Sequence, residues 1–169
     1  IERHPHRDKG CMTGSADFLS PFIKQYHHAL VIFDKEGCGK EQQTREDIET
    51  SVEQALSNSG WLMDNVAAIA IDPEVENWMW INSIQVTEAL NWKAHQPLFD
   101  WLRANGWLQE DAFKPARPKE ALEAVLKKTR KARSASIYRQ IATNASFKNC
   151  TDAAFIKTLD VLKKWFLPA

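Results

Sequence analysis

Residues 29–41 read ALVIFDKEGCGKE, and how this stretch is read decides the fold. Five apolar residues, partly β-branched and bounded by polar neighbours, read as a short strand buried on both faces. The run ends on Asp34 and Glu36, followed by a loop through Gly37 to Thr44. Thr44 then opens a helix: Ile48, Val52, Ala55 and Leu56 recur at spacings of three and four, and Thr44 and Asp47 have capping-box spacing. That helix ends near Ser59-Gly60, and Val66 to Ile71 is a second apolar, β-branched run. Strand, helix, strand in this order predicts a βαβ crossover with parallel strands and a right-handed connection.

Outward from this unit the pattern turns helical. Ser15 is expected to cap a helical turn through Phe18, Leu19, Phe22 and Ile23, limited by Pro21. Asp72 and Pro73 are expected to open a helix as N-cap and first residue, with Glu74 and Glu76 in its first turn. Beyond Asn82, helices are expected over Val86 to Leu90, Pro97 to Ala104, Pro118 to Lys131, Ser134 to Asn144, and from Thr151 or Asp152 through Phe166. The expectation is one domain over 1–169, with an α/β core at 1–90 and a helical extension at 91–169 packed on it. Two strands do not make a stable sheet alone. A third is expected from Ile1 to His4, from a missing N-terminal strand upstream of Ile1, or from a partner chain.

Composition fits a folded globular protein: 44% hydrophobic, 26% charged, with seven Trp and eight Phe in 169 residues. Three widely spaced cysteines lack any Cys-x-x-Cys pair, which disfavours a disulfide framework or a structural zinc site and suits a reducing cytoplasm. No apolar run reaches the roughly 18 residues of a membrane span, so no membrane association is expected. Net charge is zero, yet it is polarised along the chain: eleven acids face three bases between Asp34 and Glu76, and nine bases face two acids between Lys114 and Arg139. Such asymmetry hints at a polyanion partner, although solvated helix faces also produce it.

The chemistry-bearing feature is a set of acids at two strand ends: Asp34 and Glu36 after the first, Asp72, Glu74 and Glu76 after the second. Ligands of open parallel sheets bind at the carboxyl ends of the strands. Magnesium takes oxygen ligands from one or two carboxylates plus waters and phosphates. Asp34, Asp72 and Glu74 are therefore the expected metal ligands, with manganese as an alternative ion, and Glu36, Glu74 and Glu76 the expected catalytic acids. The competing reading makes Asp72 an N-cap and the glutamates dipole partners. Lys114, Arg117, Lys119, Lys127, Arg130, Lys131 and Arg133 are the expected contacts to a phosphate backbone of DNA or RNA, though a solvated helix face explains them equally.

Weaker candidates remain. EGCGKE lacks the first Gly and the final Ser or Thr of a phosphate-binding loop, since Asp34 and Glu41 stand there. Cys38 between two glycines suggests an exposed thiol without an identifiable base. His4, His6 and the pair His27-His28 could hold a transition metal, but solitary surface histidines are commoner. Trp78 is expected in the core, with Trp80 packing the helical half against the sheet.

Together, HPHRDKGC, FDKEGCGKE, DPEVENWMW, KPARPKE, RSASIY and CTDAAF resemble Toprim-like bacterial families, most closely the small Toprim-like proteins of the methylation-associated phage-defence system. The resemblance covers nearly the whole chain. It implies a Toprim-like three-layer α/β core, an acidic magnesium-binding site at Asp34, Glu36, Asp72, Glu74 and Glu76, a basic helix start at Lys119, and a role in antiviral defence. Toprim sites also use an acid at the end of a first strand, and nothing before Ile1 supplies it. Two functions follow as expectations: a magnesium-dependent, nuclease-like component of a defence system, or a non-catalytic interaction subunit docking other defence proteins. A nucleotide hydrolase using the same crevice is a third.

Overall fold

The computed structural model describes residues 1–81, 83–148 and 150–167. The chain is mixed α/β: a two-stranded parallel sheet and, among the described residues, seven α-helices. It divides into two compact units, Ile1–Glu74 with Thr151–Ala169, and Val75–Cys150. This division does not follow the one drawn at residue 90. The first unit ends sixteen residues earlier than that, at Glu74, and takes back the last helix.

In the first unit, β1 (Ala29–Asp34) and β2 (Val66–Ile71) pair in register from Ala29 opposite Val66 to Asp34 opposite Ile71. They are joined by α2 (Arg45–Asn58), whose Thr44 N-cap accepts from the Asp47 N–H. Side chains alternate across a strand, so Ala29, Val31 and Phe33 share a face with Val66, Ala68 and Ala70. That face packs against Ile48, Val52 and Leu56 of α2. Burying each of these aliphatic side chains contributes about 1.5–3 kcal/mol. The other face is closed over β2, where Ile69 and Ile71 are buried, but open over β1, where Ile32 is 44% exposed. The expectation of a β1 buried on both faces is corrected accordingly.

Helix α1 (Arg7–Leu19) begins eight residues before the expected Ser15 start, and Ser15 lies buried inside it. Two glycines obscured it. Gly10 and Gly14 weaken helix propensity, but the His4 ring lies against them, and a Cβ on Gly10 would collide with that ring. His4 also stands edge-on to Phe18, with centroids 4.9 Å apart. Ile1 to His4 therefore form no strand. Helix α7 (Ala153–Phe166) is capped by Asp152, whose carboxylate accepts from the Phe155 N–H, and packs against β2.

The second unit holds α3 (Ile84–Ala89), α4 (Leu98–Ala104), α5 (Pro118–Thr129) and α6 (Ala135–Asn144) around Val86, Leu90, Leu102, Leu122, Val125, Ile137 and Ile141. The helix expected from Asp72 does not form. A 3-10 turn, Val75–Trp78, stands there instead, because its residues are claimed by tertiary partners: Glu76 is 1% exposed. Of the two tryptophans here, Trp80 and not Trp78 is buried in the core, donating Nε1–H to the Pro118 carbonyl at 3.0 Å.

Candidate functional site

At the carboxyl ends of β1 and β2 the backbone stays tied. Lys35 N–H donates to the Ile71 carbonyl and Glu36 N–H to the Pro73 carbonyl, both at 2.8 Å. Asp34, Lys35, Glu36 and Asp72 are thus brought to one edge, as the sequence implies. Their side chains do not converge on a metal. Lys35 Nζ holds the Asp72 carboxylate at 2.9 Å, Glu36 is exposed, and Glu74 is buried. Among the described residues no three His, Cys, Asp or Glu side chains are grouped to hold a metal ion. Asp72 pairs with a lysine where a magnesium site needs its oxygens outward, so the donor set does not fit a divalent cation as arranged.

Beside this edge lies a cavity of about 390 Å³ lined by Lys35, Thr44, Arg45, Glu46, Asp72 and Asp152, with Ala153 and Ala154. Its charges are matched internally. Arg45 reaches Glu49 at 2.6 Å and Glu46 at 2.7 Å. Burial works against the Arg45 charge, but Glu49 and Glu46 outweigh it and raise its pKa.

The loop after β1 explains its likeness to a phosphate loop. Gly37 and Gly39 adopt φ of 85° and 84°, the left-handed region that glycine takes without strain. Their N–H groups converge on Glu41 Oε1 at 3.1 and 2.9 Å. The chain's own carboxylate fills the anion position, and backbone donors, first the N–H of Glu41 itself and then those of Gly39 and Gly37, hold its pKa below the usual range. Cys38, between the glycines, is fully buried, with burial raising its thiol pKa, so it is not an exposed nucleophile.

The second unit contains Glu76. Its Oε1 accepts from Arg133 Nη2 and from the Tyr138 hydroxyl, the latter at 2.6 Å, while Arg133 Nε–H donates to the Tyr138 oxygen at 2.9 Å. The Arg133 guanidinium also lies 5.8 Å from the Tyr138 ring centroid. Burial, then the hydrogen bond to Glu76, push the Tyr138 pKa up to about 12. An expected catalytic acid and an expected phosphate-binding arginine are therefore each other's partners. Lys131 likewise donates to the Ala89 carbonyl at 2.5 Å, and Arg117 sits over the Trp107 ring at 6.0 Å. Lys119, Lys127 and Arg130 are exposed, and Lys114 is half-buried.

A third network escaped sequence reasoning. Glu49, 2% exposed, accepts from the Ala70 N–H at 2.9 Å, and Glu53 from the Ala68 N–H at 2.9 Å. Lys157 of α7 bridges both carboxylates at 3.0 and 2.7 Å. The available signal was two glutamates four apart on the sheet-facing half of α2, beside Ile48 and Val52, where solvated acids have no place.

No protein-family model, curated protein or solved structure matches the chain.

Proposed function

We propose that this chain is a non-catalytic interaction subunit of a multi-protein bacterial anti-phage defence complex. It is cytoplasmic and carries a Toprim-like core whose acids serve as internal ion pairs. The defence setting rests on the resemblance of the sequence blocks quoted above. The observation that carries the non-catalytic reading is the engagement of the acids: Asp72 with Lys35, and buried Glu76 with Arg133 and Tyr138. A buried carboxylate whose oxygen is already engaged by an arginine and a phenol is poorly placed to meet a substrate. Exposed apolar side chains on the first unit, among them Tyr26, Ile32, Leu62, Met63 and Phe166, offer protein-binding surface.

A second reading keeps the magnesium-dependent, nuclease-like activity on DNA or RNA. What favours it is the position of Asp34, Glu36 and Asp72 at the carboxyl edge of a parallel sheet, beside a cavity. In that reading magnesium or manganese must first draw Asp72 away from Lys35, and Lys119, Lys127 and Arg130 hold the phosphate backbone. Co-purification from cells combined with a nuclease assay on the purified chain separates the two. Complexes that survive Asp34→Ala and Asp72→Ala, with no cleavage by the parent protein, support the interaction subunit. Cleavage that requires metal and disappears in Asp72→Ala overturns it.

A further inference from the structure

Within the second unit lies a cavity of about 300 Å³, lined in part by Asn105, Trp107, Gln109, Lys114 and Arg117. Its walls stand on fixed elements. On one side α4 ends in a glycine cap: Gly106, at φ 72°, donates its N–H to the Arg103 carbonyl at 3.0 Å, and Trp107 donates to the Leu102 carbonyl at 2.9 Å. Those two bonds hold the backbone of Trp107, whose ring packs on the core of this unit. On the other side α5 begins, with Arg117 as N-cap and Pro118 as first residue. Trp80 ties this start to the core through the Pro118 carbonyl.

The charge around the cavity is one-sided. The cavity beside the sheet edge sets Lys35 and Arg45 against Glu46, Asp72 and Asp152, whereas no acid lines this one. Glu110 and Asp111 of the same loop, and Glu120 in the first turn of α5, are exposed and outside its walls. Arg117 is exposed, and its contact is the Trp107 ring, 6.0 Å from guanidinium carbon to centroid. An arginine laid on an indole keeps its planar fork of donors oriented, and that fork matches two oxygens of a phosphate. As an N-cap, Arg117 also supplies no acceptor, so no side chain of the cap offsets the positive end of the α5 dipole. Asn105 donates Nδ2 to the Trp101 carbonyl at 2.8 Å, which leaves its side-chain oxygen as an acceptor.

The geometry points to a binding site for a nucleoside monophosphate. Arg117 takes the phosphate through its fork, Lys114 adds a second positive charge, and the base occupies the part lined by Trp107, Asn105 and Gln109. A phosphate monoester carries close to two negative charges near neutrality, which suits this set better than a carboxylate does. The volume lies at the lower end of the roughly 300–1,000 Å³ of small-ligand sites, which suits one nucleotide. A free nucleotide and the 5′-phosphate end of a nucleic-acid strand offer the same chemistry. The site uses residues of the second unit alone, and it depends neither on metal binding by the acids nor on the interaction-subunit reading.

Calorimetric titration of the full chain with adenosine monophosphate, adenosine, and a short DNA strand with and without a 5′-phosphate tests the assignment. The expected result is saturable binding of the monophosphate, of the phosphorylated strand end, or of both, and weaker binding of each unphosphorylated counterpart. The two phosphorylated arms tell the free nucleotide from the strand end. Arg117→Ala should raise the dissociation constant by roughly tenfold or more, while Arg139→Ala, exposed on α6 and outside the cavity, should leave it unchanged. On the unmodified chain, the Trp107 indole N–H resonance should shift as the monophosphate is added. Absence of binding by both phosphorylated ligands overturns the proposal. So does binding that survives Arg117→Ala, binding that ignores the phosphate, or a Trp107 resonance that stays fixed at saturation, the last needing no variant to fold.

Discussion

Glu76 and its partners put a large energetic stake on single residues. Removing one member of a buried ion pair leaves the other charge uncompensated and costs about 3–5 kcal/mol. Arg133 is itself partly exposed, which discounts that figure, so Arg133→Met should destabilise the second unit by about 2–3 kcal/mol in chemical denaturation. Tyr138 supplies a pH signature. Its pKa is raised in the folded state to about 12, so folding favours the protonated phenol. That contribution is fully present below the ordinary tyrosine pKa of about 10 and is lost as pH climbs through about 12. Stability should therefore fall over that alkaline range, and Tyr138→Phe should flatten the fall; an unchanged alkaline profile in the variant would contradict the assignment. None of this pairing was legible in the sequence. Glu76 and Arg133 lie 57 positions apart, and spacing along a chain carries no information about such a contact.

At the scale of elements, local rules read well wherever local chemistry decides. The β1–α2–β2 order, the Thr44 cap and the Asp152 cap follow from apolar runs and side-chain oxygens acting within a few residues. Thr44→Ala should cost about 1 kcal/mol, measured by thermal or chemical denaturation. The reading failed where distant residues decide. Helix α1 carries Gly10, where the His4 ring leaves no room for a Cβ, and the segment after Asp72 is drawn out of helix by the partners of Glu76. The closed edge of β2 belongs to this scale as well. Glu49→Ala removes the acceptor of the Ala70 N–H and leaves Lys157 and Arg45 without a shared partner. It should cost about 3 kcal/mol, the penalty of an orphaned buried donor together with a broken charge network. Hydrogen exchange at Ala70 should accelerate more than at residues of β1; equal acceleration throughout the sheet would indicate general loosening instead.

For the whole molecule, part of the charge is met by internal pairs, while Lys119, Lys127 and Arg130 of the basic segment stay exposed. Lys35 meets Asp72, Arg45 and Lys157 meet Glu49, and Arg133 meets Glu76. Of the acids that suggested a metal centre, Asp34 ends β1 and Asp72 follows β2, while Glu76 lies in the second unit, and sequence alone does not say which cation answers them. No helix among the described residues is long and apolar enough to cross a membrane. The central proposal is that these carboxylates serve the fold. Calorimetric titration of the protein with magnesium, repeated with manganese, tests it most directly. The account predicts no saturable binding by the parent chain and the same flat trace for Asp72→Ala. Stoichiometric binding that disappears in Asp72→Ala would contradict it.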